Sequence, residues 1–298
     1  MKPAPFDYEA PDSLPAALDL LARYWEKGEE AKLLAGGQSL IPVMNFRLAQ
    51  PALLVDLNRL SDLAYVRRSD AGGLALGAMT RQRRLERDPL VAELAPLLAE
   101  AVPFIAHPQI RNRGTLGGSL SHADPAAELP AVAVALDARL RLARAGAERW
   151  VAARDFFAGL FTTALAADEI LVEVEIPPPP PRTGWAFLEV ARRHGDYAQA
   201  GVAARVSLDA EGRCREAGLT YLSAGGAPVA ARQAAAVLAG TAPSPAAFAA
   251  AAEAAQEEIH PVDDVHASAR FKRHLARVLT VRALTLATAR ARGEEIVR

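Results

Sequence analysis

Two short glycine-rich segments in the first half of the chain have the residue types that bind an anion. They are Ala35-Gly36-Gly37-Gln38-Ser39 and Gly114-Thr115-Leu116-Gly117-Gly118-Ser119, and each borders an apolar run. Glycine lets backbone N–H groups approach an anion that a Cβ atom would hold away, and Ser and Thr hydroxyls add donors without charge. A pyrophosphate matches this donor set, so the two segments predict one shared phosphate cradle.

Neither segment matches a standard nucleotide motif. A Rossmann site needs Gly-x-Gly-x-x-Gly and an acidic residue about 20 positions further on, and a P-loop ends in Gly-Lys-Ser/Thr. Taken singly, each segment is typical of a tight structural turn. Two such segments carrying hydroxyl residues, one of them leading into a helix-compatible stretch from Leu40, favour a dinucleotide phosphate.

The bulk composition argues against a nucleic-acid partner. The 298 residues are 51% hydrophobic and 23% charged, with a formal net charge of −1, which suits two ordinary domains. Basic residues concentrate between Arg270 and Arg292, but no aromatic stacking platform accompanies them. We therefore expect a solvated helix face or a subunit contact there.

The ends and the cysteine content limit location and metal chemistry. Residues 1–7 lack the apolar stretch of a secretory signal, and no run of about 18 apolar residues is present, so the sequence predicts a soluble, cytoplasmic chain. The single cysteine, Cys214, excludes an internal disulfide, a four-cysteine iron–sulfur cluster and a structural zinc finger. Any metal centre is expected in another polypeptide.

A run of five prolines, Pro177–Pro181, predicts a stiff spacer between two domains, residues 1–176 and 182–298. Upstream of it, the spacing of apolar residues predicts an amphipathic helix over Ser13–Tyr24 and a strand over Ala31–Ala35. The other predicted elements of this part are strands at Leu53–Leu57, Leu74–Leu76, Leu140–Leu142 and Ile170–Ile176 and helices at Val91–Ala101 and Ala126–Leu136. The fold class predicted is α+β.

Downstream of the prolines, the pattern predicts a small sheet covered by helices. The predicted strands are Trp185–Arg192, Ala200–Leu208 and Gly218–Leu222, and the predicted helices are Ala231–Leu238, Ser244–Glu257 and Ala269–Ala291.

The two glycine segments and their neighbours resemble those of a known family. Leu34 to Leu40, Gln109 to Leu120 running on to Glu128, Gly195-Asp196-Tyr197-Ala198 and Asp264 to Ser268 closely resemble the FAD-binding medium subunit of molybdenum hydroxylases. Aerobic carbon monoxide dehydrogenase is the nearest type, and xanthine dehydrogenase carries the same module within a longer chain. The resemblance covers essentially the whole chain.

The resemblance implies an α+β, two-part FAD-binding domain of the vanillyl-alcohol-oxidase type over residues 1–176 and a carbon monoxide dehydrogenase flavoprotein-type C-terminal domain over residues 182–298. It implies pyrophosphate contacts from both glycine segments, a ribose contact from Asp124, an adenine-end contact from Leu171 and a flavin-ring neighbour in Tyr197. The full set of expected FAD-binding residues is Leu33, Leu34, Ala35, Gly36, Gly37, Gln38, Ser39, Leu40, His107, Ile110, Thr115, Gly117, Gly118, Ser119, Asp124, Leu171 and Tyr197.

Several of these residues also have a structural interpretation. Asp124 precedes Pro125 and suits a helix cap near Ala126 as well as a ribose contact. Tyr197 suits a strand aromatic, and His107 suits a local hydrogen-bonding role. Arg111 and Arg113 suit either phosphate contacts or hydrogen bonds that lock the loop.

One departure from the family pattern concerns flavin tuning. Relatives often carry a lysine in the segment that matches Leu188-Glu189, and this chain has none there. Because a cation stabilises reduced, anionic flavin, its replacement leaves the redox tuning of this chain open, while FAD binding is expected to persist.

The resemblance implies an electron-transfer subunit without catalytic residues that can be named. Electrons would come from [2Fe-2S] clusters of a small partner, fed by a molybdopterin cofactor in a large partner, and the resemblance implies a dimer of heterotrimers. The external acceptor is open among a quinone, oxygen and a nicotinamide, and the substrate of the complex is open too. Two alternatives are a self-contained flavin reductase or oxidase, which would need a proton donor such as Ser223 or Glu189, and a scaffold that has lost FAD.

Overall fold

The chain begins with a small parallel sheet and its helices, as seen in the computed structural model, which describes residues 2–294. The elements in chain order are β1 (Asp7–Glu9), α1 (Leu14–Glu26), β2 (Ala31–Leu34), α2 (Leu40–Asn45) and β3 (Leu53–Asp56). The strand order is β1-β3-β2, with all pairs parallel. The Ser13 hydroxyl caps α1, and α1 buries Ala17, Leu18 and Leu21.

A second, antiparallel sheet has the order β4-β5-β10-β6-β7. The elements of this part are β4 (Val66–Arg68), β5 (Leu74–Gly77), α3 (Gln82–Arg87), α4 (Pro89–Leu94), α5 (Pro96–Ala101), α6 (Pro108–Arg113), α7 (Leu116–His122), α8 (Glu128–Ala135), β6 (Arg139–Arg144), β7 (Ala147–Ala152), α9 (Ala153–Phe156), β8 (Phe157–Gly159), β9 (Thr162–Thr163) and β10 (Ile170–Ile176). Strands β8 and β9 form a separate hairpin, and every residue of α8 is buried. The two-part α+β architecture is thereby confirmed.

Three predicted elements of this region differ from the structure. The helix predicted over Val91–Ala101 is two helices, because Pro96 has no N–H to continue α4 and Ala95 leaves the helical region (φ −139°, ψ 58°). The predicted helix from Ala126 begins at Glu128. The second glycine segment is not a loop throughout, because α7 begins at Leu116 with Thr115 as its N-cap.

The last part of the chain is an antiparallel sheet of order β11-β12-β13-β14 followed by helices. Its elements are β11 (Thr183–Val190), β12 (Ala200–Leu208), β13 (Cys214–Leu222), β14 (Val229–Ala230), α10 (Arg232–Leu238), α11 (Pro245–Gln256) and α12 (Ala269–Arg292). Helix α12 crosses β11 so closely that a Cβ at Gly184 would overlap the carbonyl oxygen of Ala287. The sheet covered by helices is confirmed.

The two faces of β11 pack against different cores. Ala186 joins a core with α10, α11 and α12, whereas Phe187 joins the core of the second sheet together with α5 and α8. Alternation along the strand therefore places the third sheet between its own helices and the first domain.

The basic C-terminal helix is not simply a solvated face, which corrects part of the sequence expectation. Lys272 is 5% exposed and its Nζ lies 2.5 Å from Asp264 Oδ2. Arg290 pairs with Glu100 of α5 through two bonds of 2.6 and 3.0 Å. Arg277, by contrast, pairs with Glu253 on the exposed surface. Buried charges need such partners, so part of the basic set holds the fold together.

No helix among residues 2–294 is both long and apolar enough to span a bilayer. Over the same residues, no group of three or more His, Cys, Asp or Glu side chains is arranged to hold a metal ion.

The pair between Arg290 and Glu100 joins the two domains, so its loss should weaken their docking. We expect Arg290→Ala to lower the free energy of unfolding by roughly 1–3 kcal/mol, because both partners are about four-fifths buried and the bonds are charge-assisted. The matched control, Arg277→Ala, should cost less than about 1 kcal/mol, because its pair is exposed. Urea unfolding of both variants measures the difference, and equal losses would contradict it.

Candidate functional site

The first glycine segment lies at the carboxyl edge of the parallel sheet. It directly follows β2, and Gly37 has φ +74°, a conformation that side-chain-bearing residues rarely adopt. The Gln38 side chain donates from Nε2 to the Gly36 carbonyl oxygen at 3.0 Å and shapes the turn. Ligands of open sheets with parallel strands bind at this edge.

The backbone N–H groups of this segment point to no acceptor in the protein. Among the residues that the structure describes, the N–H groups of Gly36, Gly37, Gln38 and Ser39 make no hydrogen bond. The Ser39 hydroxyl does not cap α2 either. Backbone donors that a fold leaves unpaired are available to an anion.

The second segment uses most of its donors internally. Gly117 N–H donates to the carbonyl oxygen of Ala78 at 2.7 Å, and Gly118 N–H donates to Thr115 Oγ1 at 3.1 Å. Thr115 is 2% exposed, whereas Gly118 and Ser119 are partly exposed. This segment therefore forms a firm wall, with Gly118 and Ser119 as its accessible part.

The structure brings the two glycine segments into direct contact. A Cβ at Gly36 would lie 2.5 Å from the carbonyl oxygen of Arg113 and 2.8 Å from Gly114 Cα. On the other side, a Cβ at Gly118 would lie 3.4 Å from Ala35 Cβ. The backbones approach so closely that Gly36 has no space for a side chain, which explains its residue type.

Two side chains that sequence reasoning missed fasten this contact. Asn58 Nδ2 donates to the Ala35 carbonyl oxygen at 2.9 Å, and Arg81 Nη2 donates to Asn58 Oδ1 at 2.6 Å. The second terminal guanidinium nitrogen of Arg81, Nη1, donates to the Arg113 carbonyl oxygen. Both residues come shortly after strands, β3 and β5, and polar residues at strand ends were the signal available in the sequence.

Positive charge lies beside the contact. Burial and the nearby Arg113 guanidinium lower the pKa of Arg81, so two cations are close together here. Arg113 is exposed. Arg111 instead is 5% exposed and donates to Glu86 at 3.0 Å and to the Ile105 carbonyl oxygen at 2.8 Å. Of the two interpretations left open, Arg111 therefore has the loop-locking one.

Asp124 and Tyr197 lie near each other, beyond the end of α7. Asp124 Oδ1 accepts from the Ala126 N–H at 2.9 Å in an Asx turn, and the N-cap of α8 is Ala127 rather than Asp124. Tyr197 is 64% exposed. Partial desolvation, together with the nearby carboxylates of Asp124 and Glu128, raises its pKa. The Tyr197 ring is thus accessible to a ligand, and Asp124 lies near it.

The loop that carries Tyr197 is tied to the first domain. Ser223 donates from Oγ to the Ala198 carbonyl oxygen at 2.6 Å and from its backbone N–H to the Pro125 carbonyl oxygen at 2.8 Å. Gly195, at φ +88°, packs so close to His107 that a Cβ would lie 2.7 Å from His107 Cε1. His107 therefore supports this loop.

The remaining expected site residues differ in their exposure. Leu171 is 4% exposed within β10, so its side chain belongs to the core. The Ile110 carbonyl oxygen accepts from the Gly114 N–H at 2.7 Å. Leu33 and Leu34 end β2, and Leu40 begins α2, with all three partly exposed.

These residues fit FAD in chemical type. Four unpaired N–H groups suit a pyrophosphate, the second oxygen of Asp124 suits a ribose hydroxyl, and the open face of Tyr197 suits a flat ring.

Comparisons with known proteins agree with this geometry. Residues 4–179 match the family model "FAD binding domain in molybdopterin dehydrogenase", and residues 185–287 match "CO dehydrogenase flavoprotein C-terminal domain". The 6-hydroxypseudooxynicotine dehydrogenase complex subunit alpha of Paenarthrobacter nicotinovorans is 44% identical over 292 residues, 98% of this chain and 97% of that protein.

Two solved structures superpose closely on this chain. Carbon monoxide dehydrogenase from Hydrogenophaga pseudoflava, in a form lacking the Mo-pyranopterin moiety, has a TM-score of 0.93 at 38% identity and covers 97% of this chain and 99% of its own. Quinoline 2-oxidoreductase from Pseudomonas putida 86 has a TM-score of 0.91 at 40% identity and covers 98% and 99%. The chain therefore belongs to the family of FAD-binding subunits of molybdenum hydroxylases, with its FAD-binding domain first and the flavoprotein C-terminal domain after it.

Proposed function

We propose that this subunit binds FAD against its first glycine segment and passes electrons from an iron–sulfur partner to an external acceptor. The observation that carries the proposal is the row of unpaired N–H groups from Gly36 to Ser39, held rigidly beside Arg81 and Arg113. FAD, when bound, supplies a carrier that accepts and releases two electrons.

Each of the expected site residues has a distinct role in this proposal. The N–H groups of the first segment would bind the pyrophosphate, and Gly118 and Ser119 would complete its wall. Asp124 would accept a hydrogen bond from a ribose hydroxyl while its other oxygen holds the Asx turn. Tyr197 would shield one face of the isoalloxazine ring. Leu171 would contact the adenine end of FAD from within the core, because its side chain is buried.

The partners belong to the same proposal. We place [2Fe-2S] clusters and the molybdopterin cofactor in two partner subunits, arranged as a dimer of heterotrimers in the cytoplasm. Two observations support this division: the one cysteine, Cys214, is buried and unpaired, and residues 2–294 contain no metal-binding cluster. Burial also raises the pKa of the Cys214 thiol to about 11, which leaves little of the thiolate that ligates metal.

The geometry argues against a flavin enzyme that works alone. Such an enzyme needs an accessible proton donor over the flavin. The Ser223 hydroxyl already donates to a backbone carbonyl oxygen, and Oε2 of Glu189, the other candidate donor, is inaccessible. The chain on its own should therefore bind FAD without turning over an organic substrate.

The first prediction concerns the contact between the glycine segments. We expect Gly36→Ala to reduce FAD affinity at least about tenfold, because the added methyl would force the two backbones apart at a cost of roughly 1–3 kcal/mol. Flavin absorbance of the purified protein and equilibrium dialysis measure the affinity. The control is Gly159→Ala, whose new methyl would meet no atom within 4 Å. Unchanged affinity in Gly36→Ala would refute the cradle.

A second prediction concerns the residues that fasten the contact. We expect Asn58→Ala to weaken FAD binding by about tenfold, because Ala35 and Arg81 both lose a hydrogen-bond partner and the first segment loses its position. Asn112→Ala, which removes an exposed asparagine of α6, is the matched control and should bind normally. Circular dichroism checks that both variants fold, and equal affinities would contradict the positioning role.

A third prediction concerns partners. Native mass spectrometry of the complex purified from its own host should show this chain with an iron–sulfur subunit and a molybdopterin subunit, with FAD assigned to this chain. Metal and cofactor analysis of the same sample provides the independent count. Isolation of the chain without such partners, together with turnover by the chain alone, would refute the proposed function.

A further inference from the structure

Two buried carboxyl groups at the junction of the domains have no partner of opposite charge. Glu128 is 7% exposed at the start of α8, and among the described residues the hydrogen bond to its carboxyl group comes from its own backbone N–H. Glu189 is partly buried in β11, and its Oε2 is inaccessible and without a hydrogen bond. An ionised carboxylate in such a place is costly unless it is paired or takes up a proton.

The sheet geometry turns Glu189 toward the core that includes α8, the helix that begins at Glu128. Glu189 points to the same face of β11 as Phe187, which packs in the core that includes α8. Opposite Glu189 on β12 is Gly201, where a Cβ would lie 3.0 Å from Glu189 Cβ and 2.5 Å from Leu222 Cδ2. Glycine at this position leaves space beside the Glu189 side chain.

The other charged groups around the pair do not neutralise it. Asp124 adds negative charge from the turn before α8, and Tyr197 is a neutral phenol. Arg111 is committed to Glu86 and to backbone carbonyl oxygens. On α5, Glu100 is paired with Arg290. Among residues 2–294 no cation forms an ion pair with Glu128 or Glu189.

Both carboxyl groups have a pKa above the usual value for glutamate. Burial, with a contribution from Asp124, raises the pKa of Glu128 to about 7. Burial, with a contribution from Glu128, raises the pKa of Glu189 to about 8. Two neighbouring carboxyl groups cannot both ionise easily.

We propose that Glu128 and Glu189 carry one proton in total at neutral pH and that this pair tunes the redox potential of the FAD beside Tyr197. The first half concerns the chain alone, and the second half rests on the proposed function. As the pH rises, the shared proton passes to solvent and the pair changes from one negative charge to two. Negative charge near a flavin disfavours electron uptake, so the potential falls.

Tyr197 links the pair to the flavin site. Its hydroxyl is close enough to Glu128 for that carboxylate to raise its pKa. The two glutamates therefore act on the flavin as positioning residues, through the electric field near Tyr197. No proton passes from them to the isoalloxazine ring.

The shared proton can be tested without FAD. Infrared spectroscopy of the FAD-free chain should show a protonated carboxylic-acid carbonyl band near pH 6.5 that is lost by about pH 9. In Glu189→Gln the band should be weaker at about pH 7.5, because the carboxyl group with the higher pKa is gone and Glu128, with a pKa of about 7, is mostly ionised there. Glu253→Gln, at an exposed glutamate paired with Arg277, is the control and should retain the wild-type band. A band that is absent from the wild type, or unchanged in Glu189→Gln, would overturn the shared proton.

Stability supplies a second readout with a defined sign. Both folded-state pKa values lie above the value of about 4.3 for a free glutamate, so the folded state binds more protons than the unfolded state between about pH 4 and 8. Stability from these groups therefore falls as the pH rises through that window. Glu189→Gln should lose less stability than the wild type between about pH 6 and 9.

The flavin half is tested by the midpoint potential of the FAD-loaded chain across the same pH range. The wild type should show a lower potential than Glu189→Gln at about pH 9 and a similar one at about pH 6, and Glu128→Gln should behave in the same way. Parallel potential curves in all three proteins would overturn the tuning while leaving the infrared result in force. A wild type that retains no FAD would instead refute the proposed function.

Discussion

The contact between Gly36 and the backbone of Arg113 and Gly114 is the constraint on which the site depends. Two segments far apart in the chain approach to a distance at which even a methyl group does not fit. That approach requires the carboxyl edge of the parallel sheet to face the start of α7 in a fixed way. Asn58 and Arg81 hold this arrangement through hydrogen bonds to the carbonyl oxygens of Ala35 and Arg113. Close backbone approach and unpaired N–H groups thus arise from the same packing.

The two glycine segments have different physical roles, although their sequences look alike. In the second segment, the N–H groups of Gly117 and Gly118 donate hydrogen bonds within the fold, and the residues from Leu116 onward belong to helix α7. In the first, the donors from Gly36 to Ser39 stay unpaired. Substitutions in the second segment therefore act mainly through folding, and those in the first mainly through the ligand. Similar composition concealed this difference, because hydrogen-bond partners are supplied by other elements such as Ala78.

Local pattern was sufficient for many elements. Strand Ile170–Ile176 and the helix near Ser13–Tyr24 follow from local residue pattern, and the shared donor types of the glycine segments led to the expectation of one cradle. The break at Pro96 was also visible in the sequence, since proline disrupts a helix interior, but the apolar spacing across it was misleading. Asn58 and Arg81 could not be found in this way, because their partners are determined by tertiary packing. The same holds for Lys272, whose burial depends on Asp264.

The junction between the domains couples charge to packing. Glu128 belongs to the first domain and Glu189 to the second. Glu128 is buried at the start of α8, and Oε2 of Glu189 on the third sheet is inaccessible to water. Proton binding is therefore linked to docking, because the docked state favours the protonated pair and the separated state does not. Tyr197 and Asp124 meet at the same junction, one from each domain. A ligand that bridges these two residues would stabilise docking, and docking in turn would hold the proton. In the proposed FAD complex, the electrostatic environment of the flavin would therefore depend on how closely the two domains pack.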